Sequence, residues 1–108
     1  MVMPKTIKTT LRDLVEHPDK YVDKRVEITA HLILLGKSPR SPIYSINLPE
    51  EEDYCIGILK EGDITLLCYG LEELPFEEYN KRKVIVLGIL LRVHESLILK
   101  VTEIRIAE

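Results

Sequence analysis

The N-terminal part of the chain contains one segment with helical periodicity. Leu11, Leu14 and Val15 fall on one side of a helix, and Thr10 precedes them as a residue that caps helix N-termini. Pro18 ends this pattern, because proline has no N–H to donate and disfavours a helical residue before it. The sequence therefore predicts one short helix of about two turns near the N-terminus.

From residue 25 onwards the apolar residues recur at every second position, which is the period of a half-buried β-strand. Proline, glycine and charged residues separate these stretches, and a connector around Pro75 interrupts them. The first predicted strand runs from residue 25 to a polar loop that opens at residue 36. The other four cover residues 43–48, 54–59, 83–93 and 97–106. The strand at 54–59 is followed by an extended continuation at 64–69. Short strands without intervening helices predict an all-β barrel or sandwich.

The chain also resembles itself. Residues 21–32 align with residues 79–90, and both contain a tyrosine, a basic turn and then the pattern V-x-[IV]-x-[AG]-x-L. The small residue of the pattern is Ala30 in the first copy and Gly88 in the second. A small residue at this place allows a strand to coil sharply where a barrel closes.

This repeated pattern resembles the OB-fold family, whose first and fourth strands carry such segments and whose third and fourth strands are joined by a connector. The resemblance implies a five-stranded barrel over residues 10–108, preceded by an N-terminal extension over residues 1–9. It also implies a ligand site on the face of strands two and three. The loops that join strands one to two and four to five would form its walls.

Composition narrows the class of protein. The chain of 108 residues has the size of one domain, and its net charge is −3. It contains no glutamine and is rich in isoleucine, leucine, valine, glutamate and lysine, which is typical of proteins from hot environments. We find no apolar run of membrane-spanning length and no secretion signal, and therefore expect a cytoplasmic protein.

The residues that enzymes and metal sites need are absent or scattered. The chain has no glycine-rich phosphate loop, no G-x-S-x-G and no H-E-x-x-H. Its three histidines, His17, His31 and His94, lie in different predicted elements. Cys55 and Cys68 lie in apolar segments and are expected to be buried thiols. We therefore expect a binding protein without a cofactor or a metal.

A single-stranded nucleic acid needs cations for its phosphates and flat side chains on which its bases stack. Residues at the expected loops and strand ends offer cations or hydrogen bonds: Lys37, Arg40, Ser45, Asn47, Lys60, Arg92, His94 and Lys100. Alternation places Tyr44 and Tyr54 toward the core, and Cys55, Gly57 and Leu59 on the outer face. The missing outer aromatic residues and the acidic net charge count against this function.

The fourth predicted strand is apolar on both faces, so its outer residues need a cover. These residues are Ile85, Leu87, Ile89 and Leu91. Either the N-terminal helix covers them, or a second subunit or another protein does. The preferred hypothesis is a barrel that binds single-stranded DNA or RNA as a subunit of a larger complex. The alternative is an adaptor that docks another protein through this strand.

Overall fold

The computed structural model describes residues 5–38 and 54–107, and these residues form an all-β domain with one short helix. The helix α1 is followed by a 3₁₀ turn at Pro18–Lys20. The elements are β1 (Ile7–Lys8), α1 (Leu11–Glu16), β2 (Arg25–Ser38), β3 (Tyr54–Glu61), β4 (Ile64–Leu71), β5 (Lys83–Val93) and β6 (Ser96–Ile106).

Five of these strands close into the predicted barrel. The strand order is β1-β2-β3-β4-β6-β5, and β5 pairs back with β2 to complete the ring. The long strand β2 makes this closure possible, because its first half pairs with β5 and its second half pairs with β3. The short strand β1 adds to the free side of β2 through a parallel pairing of Ile7 with Val26.

The second and third strands of the barrel are formed by other segments than the sequence predicted. The second and third strands of the ring are β3 and β4, which form a hairpin around Gly62, a residue with a φ of 61°. The strand predicted over residues 43–48 lies outside the described residues. The loop predicted to open at Gly36 was placed too early, since β2 continues to Ser38 after a bulge between Leu34 and Gly36.

The internal repeat is a real feature of the fold. Its two copies are β2 and β5 with their preceding turns, and they pair so that Ile28 faces Val86, its own counterpart in the repeat. Asp23 and Lys81 are also counterparts, and both have a φ of 67°. The Asp23 N–H donates to Leu90 at 2.7 Å, and the Lys81 N–H donates to Leu32 at 2.7 Å. The repeat therefore encodes a local two-fold arrangement at the place where the barrel closes.

The helix closes one end of the barrel. The Thr10 hydroxyl accepts a hydrogen bond from the Asp13 N–H at 3.1 Å, which confirms the predicted cap. Leu11 and Leu14 are fully buried in the main core cluster, and α1 packs against β2, β3 and β4. The helix was one of the possible covers for the outer face of the fourth predicted strand, now β5, and the structure does not place it there.

The connector after β4 contributes to the same core. Phe76 is fully buried, and Leu74 packs beside it. Both lie over Gly70, where an added methyl group would come within 2.5 Å of the Leu74 side chain. In the described part of the chain, no helix is long and apolar enough to cross a membrane.

Candidate nucleic-acid interface

The outer face of β3 and β4 corresponds to the ligand face that the OB-fold resemblance implies. The inward residues of β3 are Cys55, Gly57 and Leu59, and those with apolar side chains join the main core cluster. Tyr54 and Ile56 therefore lie on the outer face, opposite to the prediction. Both faces of β3 are apolar, so alternation alone could not assign the sides.

A second apolar cluster lies on this outer face, separate from the barrel interior. Its buried members are Tyr54, Tyr69 and Ile98, which come from β3, β4 and β6. The two tyrosine rings are tilted by 58° with centroids 5.8 Å apart, a geometry that aromatic pairs favour. Only 3% of Tyr54 and 1% of Tyr69 is exposed, so both rings are buried beneath the surface of the outer face.

More accessible apolar side chains continue the outer face along the strands. Ile58 pairs with Leu67 across the β3–β4 hairpin, and Leu67 pairs with Ile98 of β6. Ile58 is half-buried, and Leu67 is 39% exposed. A row of apolar side chains therefore crosses three neighbouring strands and ends in partly exposed surface.

Two of the predicted cations border this face. Lys100 of β6 pairs directly with Tyr69 of β4. Lys60 follows Ile58 on the same side of β3 and pairs with Thr65. Within the described ranges, neither lysine makes an ion pair. As far as the described residues go, the ammonium groups of both side chains have no carboxylate partner that an anion would have to displace.

Lys37 has a different environment. Its Cα partner in β3 is the inward-facing Cys55, and its Nζ lies 3.3 Å from Glu72 and 3.8 Å from Glu77 of the connector. The hydrogen bond to the Glu72 carboxylate raises the pKa of Lys37. These residues line a cleft of about 430 Å³ together with Glu73 and Glu78, among others. Lys37 is thus surrounded by carboxylates, a poor setting for a phosphate.

Arg92 and His94 lie near the β5–β6 turn. The Arg92 guanidinium donates a hydrogen bond to the Asp19 carboxylate at 2.9 Å. Arg92 is therefore held next to the 3₁₀ turn that follows α1. His94 is exposed in the turn, with a φ of 57°. The described contacts do not bring Lys37 and Arg92 together. The remaining residues of the predicted site lie outside the described residues: Arg40, Ser45 and Asn47.

The outer stripe of β5 is partly covered by an ion pair. Arg105 of β6 and Glu27 of β2 lie on either side of β5 and approach to 3.6 Å. Beneath them Leu87 is 9% exposed, whereas Ile85 and Ile89 remain half-buried. Leu91 packs against the second cluster. The predicted use of this stripe as a protein interface stays a prediction.

Sequence reasoning missed Tyr69 and Leu67 as members of the outer face. They alternate with Leu66 and Cys68, which face the core. The available signal was the Gly62 turn, because a tight hairpin there makes residues 64–71 a barrel strand in its own right.

The cysteines and the acidic residues of the described ranges do not form a recognisable metal site. Cys55 and Cys68 are buried free thiols, as predicted. Burial raises the pKa of Cys68 to about 12 and also raises the pKa of Cys55. Across residues 5–38 and 54–107, no group of three or more potential metal ligands comes together.

Comparison with known proteins gives structural likeness without sequence likeness. No protein-family model and no curated protein matches the chain. A chain assigned as an aspartyl-tRNA synthetase from Leishmania major Friedlin matches with a TM-score of 0.60 and 16% identity, over 97% of this chain and 21% of that one. The structure of yeast Stn1 and Ten1 matches with a TM-score of 0.65 and 17% identity, over 96% of this chain and 64% of that one.

A third structure extends the comparison to a single domain. The second OB-fold domain of replication protein A from Methanococcus maripaludis matches with a TM-score of 0.60 and 15% identity, over 82% of this chain and 88% of that one. The present chain spans less than two thirds of the first two matched chains. At these identities the likeness establishes the architecture alone, and the architecture of this chain is an OB fold.

Proposed function

We propose that this domain binds single-stranded nucleic acid on the outer face of β3, β4 and β6, without transforming it. The observation that carries the proposal is the position of Lys100 beside Tyr69, at the edge of an apolar face that lies outside the barrel core. Lys100 makes no ion pair within the described residues, and a cation next to apolar surface can hold both the phosphates and the bases of a single strand.

The accessible parts of the face suggest how a strand would be held. Because the tyrosine rings are buried, bases would contact Ile58 and the exposed part of Leu67. Lys60 and Lys100 lie on the two strands that flank β4, so they would hold phosphates on either side of these bases. Apolar contact of this kind tolerates any base, and we therefore expect little sequence preference.

The names of two matched proteins support a nucleic-acid role. One is assigned as an aminoacyl-tRNA synthetase and another is a replication protein. The net charge of −3 opposes long-range attraction of a polyanion. We therefore expect modest affinity that depends on a few local cations.

The test is fluorescence anisotropy of labelled mixed-sequence DNA and RNA single strands, titrated with the protein at low and moderate salt. Wild-type protein should bind in the micromolar range or tighter, with an affinity that falls steeply as salt rises. Lys100→Glu should weaken binding by roughly tenfold, because it replaces a phosphate contact by a repulsion. Lys8→Glu on β1 makes the same charge change away from the face and serves as the matched control.

Absence of binding by the wild-type protein at low salt would refute the proposal. Equal losses for Lys100→Glu and Lys8→Glu would instead show that net charge matters and that the face was assigned incorrectly. A circular dichroism melt of each variant separates a loss of binding from a loss of folding.

A protein-docking role is the second candidate. It is favoured by the half-buried Ile85 and Ile89 on the outer face of β5, which the helix leaves uncovered. If this stripe is an interface, Ile89→Glu should lower the mass measured by light scattering while the melting curve keeps its cooperativity. An unchanged mass for a folded variant would exclude the stripe as an interface of this chain with itself.

A further inference from the structure

Three basic side chains meet on the outer face at the point where β2 changes its pairing partner. His31 of β2 pairs with Lys60 of β3 on one side and with Lys83 of β5 on the other. All three residues are exposed. We refer to His31, Lys60 and Lys83 as the basic triad. Only Lys60 was among the residues predicted from the sequence.

The fold itself brings the basic triad together. His31 is the residue at which the β2–β5 ladder ends and the β2–β3 ladder begins, so three strands adjoin there. Neighbouring strands lie about 4.8 Å apart, which places the backbones of Lys60 and Lys83 roughly 10 Å from each other. Two long lysine side chains can converge over that distance on one anionic group, with the histidine ring between them.

The lysines of the basic triad have no ion-pair partner among the described residues, which distinguishes them from four other cations of the domain. Arg12, Lys37, Arg92 and Arg105 all make ion pairs with glutamate or aspartate. In the described part of the chain, no member of the basic triad makes an ion pair.

A second pair of charged residues flanks β5, the strand next to β2, and can be compared with the two lysines of the basic triad. Arg105 and Glu27 also flank a central strand, but they carry opposite charges and form an ion pair across it. Lys60 and Lys83 flank β2 with like charges, so an anion that lies between them would be attracted to both.

We propose that the basic triad binds a backbone phosphate of the single-stranded nucleic acid, an inference that rests on the function proposed above. Lys60 lies two residues after Ile58 on the same side of β3, so the basic triad continues the apolar face without a break. The strand therefore crosses the face and leaves it over β2 and β5. The path turns away from the cleft that contains Lys37 and the connector glutamates.

The experiment measures the affinity for a labelled single strand as a function of salt for wild-type protein and two double variants. Lys60→Gln with Lys83→Gln removes the lysines of the basic triad. Lys8→Gln with Lys24→Gln removes the same charge from two exposed positions elsewhere. The triad variant should bind roughly tenfold more weakly at low salt. Its slope of log K against log salt should become shallower by about 0.7, because the basic triad neutralises one phosphate and each neutralised phosphate on a single strand contributes about 0.7.

The outcomes separate this inference from the proposed function. Wild-type binding with equal slopes for the two double variants would overturn the basic triad and leave the proposed function in place. No wild-type binding at all would overturn both. Binding of polyglutamate, but not of the oligonucleotide, that disappears in the triad variant would assign these residues to an acidic protein partner instead.

Discussion

Replacement of Gly88 by alanine tests the closure of the barrel at its tightest point. Gly88 lies at the bulge between β5 and β6, where an added Cβ would be 2.4 Å from the Lys100 carbonyl oxygen and 3.1 Å from its carbonyl carbon. Both atoms belong to the backbone of a paired strand and cannot rotate away. A carbon–oxygen contact needs about 3.3 Å or more, so β6 must move by roughly 1 Å.

The change in the free energy of unfolding caused by Gly88→Ala is the sum of two opposing effects. Overpacking of a dense interior costs about 1–3 kcal/mol, and a rigid backbone neighbour places this site toward the upper end. Alanine restricts the unfolded chain more than glycine does, which returns roughly 0.5–1 kcal/mol. We expect Gly88→Ala to lower the free energy of unfolding by about 2 kcal/mol, or the Tm by roughly 8–16 °C.

The matched control is Gly36→Ala in β2. An added Cβ there meets no atom within 4 Å, and the φ of Gly36 is not in the left-handed region. This variant should be slightly more stable than wild type, by about 0.4–1 kcal/mol. Urea denaturation followed by circular dichroism measures both. If the two variants unfold at the same urea concentration, the close contact of residue 88 with the Lys100 carbonyl group does not destabilise the barrel, which refutes the prediction.

Two further predictions concern ionisable groups. The Tyr21 hydroxyl donates to the Asp13 carboxylate and lowers its pKa below the usual 3.8. The stability that Asp13 contributes is therefore present above its unfolded pKa and lost as the pH falls through its folded pKa. Tyr21→Phe should shrink this acid-dependent loss, as measured by urea midpoints across the acid range, and an unchanged pH profile would contradict the role of Tyr21. Cys68 is fully buried with a pKa of about 12, so it should react with a thiol reagent only when the protein unfolds. Rapid labelling of Cys68 in native protein, located by mass spectrometry, would contradict this placement.

Local signals in the sequence were sufficient for the elements with a single apolar face. Thr10 and the spacing of Leu11 and Leu14 predicted the helix and its cap, because capping and periodicity act over one or two turns. The repeat predicted two strands with a small residue at the same place, and Gly88 proved to be a position of close backbone approach.

The same signals failed where both faces of a strand are apolar. Alternation placed Tyr54 toward the barrel interior and Leu59 on the outer side. In the structure Leu59 lies in the main core, and Tyr54 is buried in the second cluster on the other side of β3. Likewise, the sequence left open whether the helix covers β5, and the structure shows that it packs against β2, β3 and β4. Periodicity gives the two sides of a strand but not which side faces the barrel interior.

The sequence by itself determined the all-β class, the helix cap and the matching small residues of the two repeat strands, because each depends on residues within one segment or its repeat. Only the tertiary structure decided which residues share the outer face. His31, Lys60 and Lys83 are distant in the sequence and become neighbours because β2 pairs with β5 before His31 and with β3 after it. Pairing between distant strands depends on the whole barrel, and no local pattern carries that information.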